Sequence, residues 1–216
     1  GDGDPEGVRR RAAEYVKDAA RTAAALGVKT VTGFTGSSIW HAVAMFPPVS
    51  QAVVDAGYQD FADRWNPILD VFDEVGVRFA HEVHPSEIAY DYWTTVRTLE
   101  AIGHREAFGL NFDPSHLYWQ GIDYLQAART FAKRIFHVHI KDTEILTGEL
   151  QRGGSLLPRR WYRYRLPGYG AIQWPQFIST LRESGYDGAL SIEHEDPVWS
   201  GEEERVREGL ILGLKY

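Results

Sequence analysis

The sequence predicts an α/β fold with a parallel sheet, wound as a (β/α)8 barrel of which about five βα units are present. Three observations predict it. Helical and strand-like periodicities alternate along the chain, with single glycines at helix ends such as Gly27, Gly76 and Gly103. The residues able to do chemistry gather at the C-terminal ends of strands, where barrels keep their sites. No helix opens on G-x-G-x-x-G or on G-x-x-x-x-G-K-[ST], so a dinucleotide- or nucleotide-binding open sheet lacks its fingerprint. Residues 1–216 read as one partial-barrel domain.

Taken in order, Pro5 to Ala25 is a helix capped by Asp4, with Pro5 in the first position. Val8, Ala12, Tyr15, Val16, Ala19 and Ala23 fall at helical spacing and form its expected apolar face. Val28 to Phe34 is a strand rich in β-branched residues. Thr35 to Gly57 is a long excursion of the kind that carries binding residues. Tyr58 to Val75 is a helix with Phe61, Trp65, Ile68, Leu69 and Phe72 on one face. A strand follows, ending at Glu82 before Pro85. Then come a helix over Tyr90 to Ile102, a strand ending at Asp113, a helix over Gly121 to Arg134 and the strand carrying His137 and His139. Thr143 to Gly170 is a second excursion, rich in glycine and arginine (Arg152, Arg159, Arg160, Arg163, Arg165). Ile172 to Ser184 is a helix, Gly185–Gly188 a turn into the strand that ends at Glu193, and Glu202 to Leu214 the last helix.

The strand ends carry the chemistry. In F-H-V-H-I-K-D, side chains alternate faces, so His137 and His139 point the same way. Two imidazoles and an acid at one strand end are costly to desolvate as mere filling, and imidazole is a common metal ligand. Glu82, Asp113 and Glu193 end three other strands. Three carboxylates around one imidazole suit a divalent ion, Mn2+ first, with Mg2+, Co2+ or Zn2+ as alternatives. Lys141 is either an electrostatic stabiliser of that pocket or a salt-bridge partner. Arg163 and Arg165 either hold an anionic substrate group or form a solvated basic loop. Trp40 either stacks on a ring or packs.

Composition excludes several classes. Of 216 residues, 44% are hydrophobic and 25% charged, ordinary for a globular chain. The net charge of −7 argues against nucleic-acid or anionic-membrane partners. There is no cysteine, so disulfides, thiolate metal sites and cysteine nucleophiles are out; a cytoplasmic setting is expected. No apolar run reaches the ~18 residues of a membrane span. Gly1 to Gly7 is acidic, unlike a signal peptide.

Five motifs in order carry a resemblance: E-V-H-P at Glu82, D-P-S-H from Asp113 to His116, H-V-H-I-K-D around His139, P-G-Y-G-A-I-Q-W from Pro167, and G-Y-D-G-A-L-S-I-E-H-E-D from Gly185. The chain resembles the xylose-isomerase-like TIM-barrel superfamily, in its sugar phosphate isomerase/epimerase branch. The resemblance implies a single divalent ion on Glu82, Asp113, His139 and Glu193, with His116 on substrate hydroxyls. It implies proton abstraction next to a carbonyl of a sugar or polyol through an enediolate, with Glu82 and Glu193 as bases. Dehydration by a lyase, C-glycoside cleavage and a metal-binding fragment without turnover are the alternatives within the fold. A DNA-repair endonuclease uses a His-rich multi-zinc site and a basic groove, which this acidic chain lacks. The ketohexose 3-epimerases carry an Arg a few residues past the metal-binding His; here Asp142-Thr143-Glu144-Ile145 stands there. The resemblance places the strand at Val28 fourth in the barrel, so an N-terminal part is expected to be absent. Either an N-terminal segment is missing from this sequence, or a second copy or partner chain covers the open edge.

Overall fold

The computed structural model describes residues 3–44, 46–156 and 161–216; Arg159 and Arg160 of the arginine-rich stretch lie outside them. The chain forms two compact units, Gly1–Asn111 and Phe112–Tyr216. Among the described residues, five strands belong to the parallel sheet, against the eight of a closed barrel.

In the first unit, α1 (Pro5–Ala25) begins where expected, with the Asp4 carboxylate accepting from Gly7 N at 2.8 Å. Its buried strip differs from the expected face. Gly7, Ala20 and Ala23 are buried, while Tyr15 is 76% exposed. These small residues let the backbone of α1 approach α3 (Gln51–Val75) closely, and the bulky ones are left outside. β1 (Thr30–Gly33), β2 (Arg78–Glu82) and β3 (Phe108–Phe112) run parallel, with Thr32 opposite Ala80 and Ala80 opposite Gly109. α3 starts seven residues before the expected Tyr58, at Gln51 after Ser50, and continues through Pro67. Its face Phe61, Trp65, Ile68, Leu69 and Phe72 is buried as the periodicity predicts. Trp65 and Phe79 ring centroids lie 4.6 Å apart, and Phe79 and Phe108 5.9 Å. α2 (Trp40–Val43) is a single turn inside the first excursion, and α4 (Tyr92–Ala101) opens on a reciprocal Asp91–Thr94 cap.

In the second unit, Asp113 caps the short α5 (Pro114–Trp119), its Oδ1 accepting from Ser115 N at 2.8 Å. α6 (Tyr124–Thr130) leads through a 3-10 turn into β4 (Ile135–Ile140). The second excursion is ordered where it is described. β5 (Asp142–Ile145) and β6 (Tyr162–Arg165) form an antiparallel ribbon, with α7 (Thr147–Gly153) between them. α8 (Trp174–Glu183), β7 (Leu190–Ile192) and α9 (Glu203–Lys215) complete the unit. β7 pairs parallel with β4, His139 opposite Ser191 and Ile140 opposite Ile192. Phe112, Tyr124, Trp174 and Phe177 form the core beneath them.

Asp142 ties this unit together. Fully buried, it accepts from Thr143 N, Gly168 N, Ile172 N and Trp174 Nε1 at 2.8–3.0 Å. The P-G-Y-G-A-I-Q-W motif is thereby a loop folded onto one carboxylate. Gly170 is required there, because a Cβ would stand 2.2 Å from Asp142 Oδ1.

Candidate metal centre

The β4–β7 register builds the site in the second unit. One residue past the last pair, Lys141 and Glu193 leave adjacent parallel strands, with Glu193 N donating to Ile140 O. Alternation puts His137, His139 and Lys141 on one face of β4 and its extension. The His137 and His139 rings meet edge-on at 5.6 Å, as the sequence predicts.

Lys141 is 1% exposed. Its Nζ stands 2.7 Å from Glu193 Oε2, 2.9 Å from Glu195 Oε2, 3.1 Å from Asp113 Oδ2 and 3.2 Å from His116 Nε2. Its partners are thus neighbouring carboxylates and not Asp142. Burial works against the charged amine, but Asp113, Glu193 and Glu195 outweigh it and hold the ammonium above the usual lysine range. Tyr164 of β6 lies under it, the ring centroid 4.5 Å from Nζ. The Tyr164 hydroxyl is 2.9 Å from His116 Nδ1. His139 Nδ1 is 2.9 Å from Glu193 Oε2.

Asp113, His116 and Glu193 bring one ligand atom each within 4.8 Å of one another. Asp113 is 2% exposed, and its Oδ2 accepts no hydrogen bond from the described residues, although Lys141 and His116 face it. A buried carboxylate oxygen ion-paired with Lys141 but without an aligned hydrogen bond is chemically suited to a cation. Three carboxylates against one ammonium leave an excess of negative charge matching a divalent ion.

In the first unit, Glu82 ends β2 and is 5% exposed, with Asn111 Nδ2 donating to its Oε2 at 3.4 Å. Behind it, burial pushes His81 down to about 4, so the ring is neutral at physiological pH; it stacks on Phe108. The loop beyond contains Ser86 at φ 96°, a strained conformation for a residue with a side chain. Glu87 next to it holds the start of the first excursion through Thr35 N and Gly36 N, and burial raises its carboxyl. Trp40 packs edge-on against Tyr90 at 5.0 Å.

Arg163 and Arg165 are engaged elsewhere in the second unit. Arg163 Nε donates to Glu144 Oε2 at 2.7 Å, and Arg165 bridges Glu144 at 2.6 Å and the buried Asp196 at 2.9 Å. Sequence reasoning missed Tyr164. Its only signal was the alternation of Y-R-Y-R, which puts tyrosines on one face of a strand and arginines on the other.

The family model for the xylose isomerase-like TIM barrel matches residues 1–213. The chain belongs to this family. Among curated members, YfiH of Bacillus subtilis (strain 168) is 34% identical over 168 residues, covering 73% of this chain and 53% of that protein. An inosose isomerase of Halalkalibacterium halodurans is 33% identical over 133 residues, covering 58% and 42%. The chain thus spans about half the length of the curated relatives it matches. Among solved structures, the IOLI protein with a bound zinc atom superposes with TM-score 0.65 at 22% identity, covering 99% of this chain and 72% of that one. L-ribulose 3-epimerase does so with TM-score 0.66 at 17% identity, covering 98% and 69%. These likenesses show the fold, and the chain carries part of that barrel.

Proposed function

We propose that this chain is the metal-binding portion of a sugar or polyol isomerase/epimerase that removes a proton next to a carbonyl. The observation that carries the reading is the buried group around Lys141, whose carboxylates outnumber their cation. Relatives named as inosose isomerases support the substrate class. Asp113, Glu193, His139 and Glu82 would hold one divalent ion, Mn2+ by preference on this oxygen-rich donor set, or Mg2+, Co2+ or Zn2+. When bound, the ion supplies a Lewis acid for the substrate carbonyl.

The chain's own residues do the rest. Glu193 is the base, its Oε2 held by Lys141 and His139 so that the carboxylate is fixed in one orientation. Glu82 is the second base. Two bases working on opposite faces give epimerisation, whereas one base with hydroxyl proton transfer gives isomerisation. His116 and Lys141 orient substrate hydroxyls. Trp40 would border the substrate, whereas Arg163 and Arg165, taken up by Glu144 and Asp196, brace the ribbon. The setting is cytoplasmic and the partner a small molecule, with neither nucleic acid nor membrane; no described helix is long and apolar enough to cross one. A second copy, a partner chain or a further segment of the same protein would cover the open edge of the sheet.

A second reading is dehydration, favoured by relatives named as inosose dehydratases: the proton taken up by Glu193 would leave with the departing hydroxyl as water, and the buried Lys141 ammonium would stabilise that hydroxyl by charge and hydrogen bonding. One experiment tests both. The full chain, supplied with Mn2+, is incubated in D2O with a panel of inososes and ketoses and followed by proton NMR. Exchange of the C–H next to the carbonyl with formation of an isomer supports the first reading. Loss of water from the substrate supports the second. Absence of both exchange and elimination overturns them.

A further inference from the structure

Lys141 places one cation among the groups that suit another. Asp113, His116 and Glu193 bring one ligand atom each within 4.8 Å of one another. The Lys141 ammonium reaches all three residues, at 3.1 Å from Asp113 Oδ2, 3.2 Å from His116 Nε2 and 2.7 Å from Glu193 Oε2. Carboxylate oxygens that serve an ammonium at this range cannot also serve a divalent ion without setting two cations against each other. Glu195 differs from the other acids. Its Oε2 is 2.9 Å from the same Nζ, but its side chain is 47% exposed, against 0% for Asp113. The ammonium therefore stands between a carboxylate in the interior and one at the solvent edge. The Tyr164 ring, 4.5 Å from Nζ, gives it an apolar face that accepts a cation.

We propose that Lys141 competes with the divalent ion for Asp113 and Glu193, and that Glu195 is a positioning residue that takes up the ammonium when the ion binds. The inference rests on the reading of this pocket as a metal centre. Its charges then balance, three carboxylates facing one ammonium and one divalent ion. Before the ion arrives, the ammonium keeps the acids from repelling one another. Moving it toward Glu195 carries it toward water, which lowers the cost of giving up the buried Asp113. Metal affinity is thereby set by a pair of residues, Lys141 and Glu195, acting through each other.

A double-mutant cycle tests this. The full chain is titrated with Mn2+ by calorimetry as wild type, Lys141→Met, Glu195→Gln and the double variant. Lys141→Met should bind Mn2+ about 10-fold tighter or more, because the competitor is gone. Glu195→Gln should bind it about 10-fold more weakly. In the Lys141→Met background, Glu195→Gln should change affinity by less than about 3-fold, since its effect runs through Lys141. Equal or weaker binding by Lys141→Met, or a Glu195→Gln loss of the same size in both backgrounds, overturns the proposal. Should Lys141→Met not fold, acetylation of the wild-type chain, read by mass spectrometry, decides. Zn2+ should raise the modification of Lys141, and an unchanged or lower yield overturns the proposal. Absence of Mn2+ uptake by all four proteins would overturn the metal reading as well. Uptake that ignores Lys141 would overturn this inference alone, so the two failures are distinguishable.

Discussion

Two charged clusters of the second unit lie a few residues apart in sequence and differ in one respect. Around Lys141, the carboxylates of Asp113, Glu193 and Glu195 face a single ammonium. Around Arg165, the carboxylates of Glu144 and Asp196 face two guanidinium groups, Arg165 and Arg163. The second cluster is balanced, and Asp196 is further satisfied by Leu166 N and Val198 N. It is a clamp that closes the ribbon onto the loop after β7. The first carries uncompensated negative charge beside a buried oxygen without a hydrogen bond. On the proposed reading, a divalent ion completes its charge. Burial and ion pairing are common to both; only the count of charges separates structure from chemistry.

The comparison breaks first at Glu193. Glu193→Gln keeps the shape and removes the base, so turnover should fall by about 10²–10⁴-fold or more. Thermal stability of the metal-free protein should hold within about 1 kcal/mol, because the change relieves like-charge repulsion. Near-normal turnover would remove Glu193 from the chemistry. Removing a carboxylate from the balanced clamp should do the reverse. Asp196→Ala leaves Arg165 without its buried partner and should cost about 3 kcal/mol in urea unfolding. A loss below that of Glu193→Gln would contradict the division between the clusters.

Acid sharpens the same contrast. Burial raises the Asp196 carboxyl, but Leu166 N, Arg165 and Val198 N outweigh it and hold it below its ordinary value; Arg163 foremost lowers Glu144. Groups depressed in the folded state contribute stability that is present above the unfolded value, about 4, and lost as pH falls through the folded one. Melting temperature should therefore drop on acidification below about pH 4, and the drop should shrink in Asp196→Asn. An equal slope in both proteins would detach the clamp from acid stability. The smallest effect belongs to Arg163→Ala, whose side chain is 38% exposed and whose loss should cost no more than about 1 kcal/mol.

The fold was legible where periodicity and caps agree. Asp4-Pro5 and Gly27 frame α1, and the aromatic face of α3 is buried as its spacing demands. The start of α3 was not legible, because the larger apolar residues of Gln51 to Gly57 are Val53 and Val54, which stand side by side and set no helical period. The same holds for the ribbon. The tyrosine and arginine faces of Tyr162–Arg165 alternate, but neither is aliphatic, so the segment reads as a basic loop. Among the site residues, Asp113, His139 and Glu193 stand out because each closes a strand. Lys141 was visible as a residue but not as a hub, since its partners come from strands far apart in sequence. Asp142 gave no sign of its four donors: loop backbone hydrogen bonds leave little trace in side-chain pattern.

The central claim is that the charge excess around Lys141 is filled by a divalent ion. Calorimetric titration of the chelator-treated full chain with Mn2+ tests it, with Asp113→Asn and Glu144→Gln measured alongside. The account predicts about one ion per wild-type chain, affinity lower by at least 10- to 100-fold in Asp113→Asn, and wild-type affinity in the clamp variant Glu144→Gln. No uptake by the wild-type chain, or equal uptake by Asp113→Asn, would contradict it.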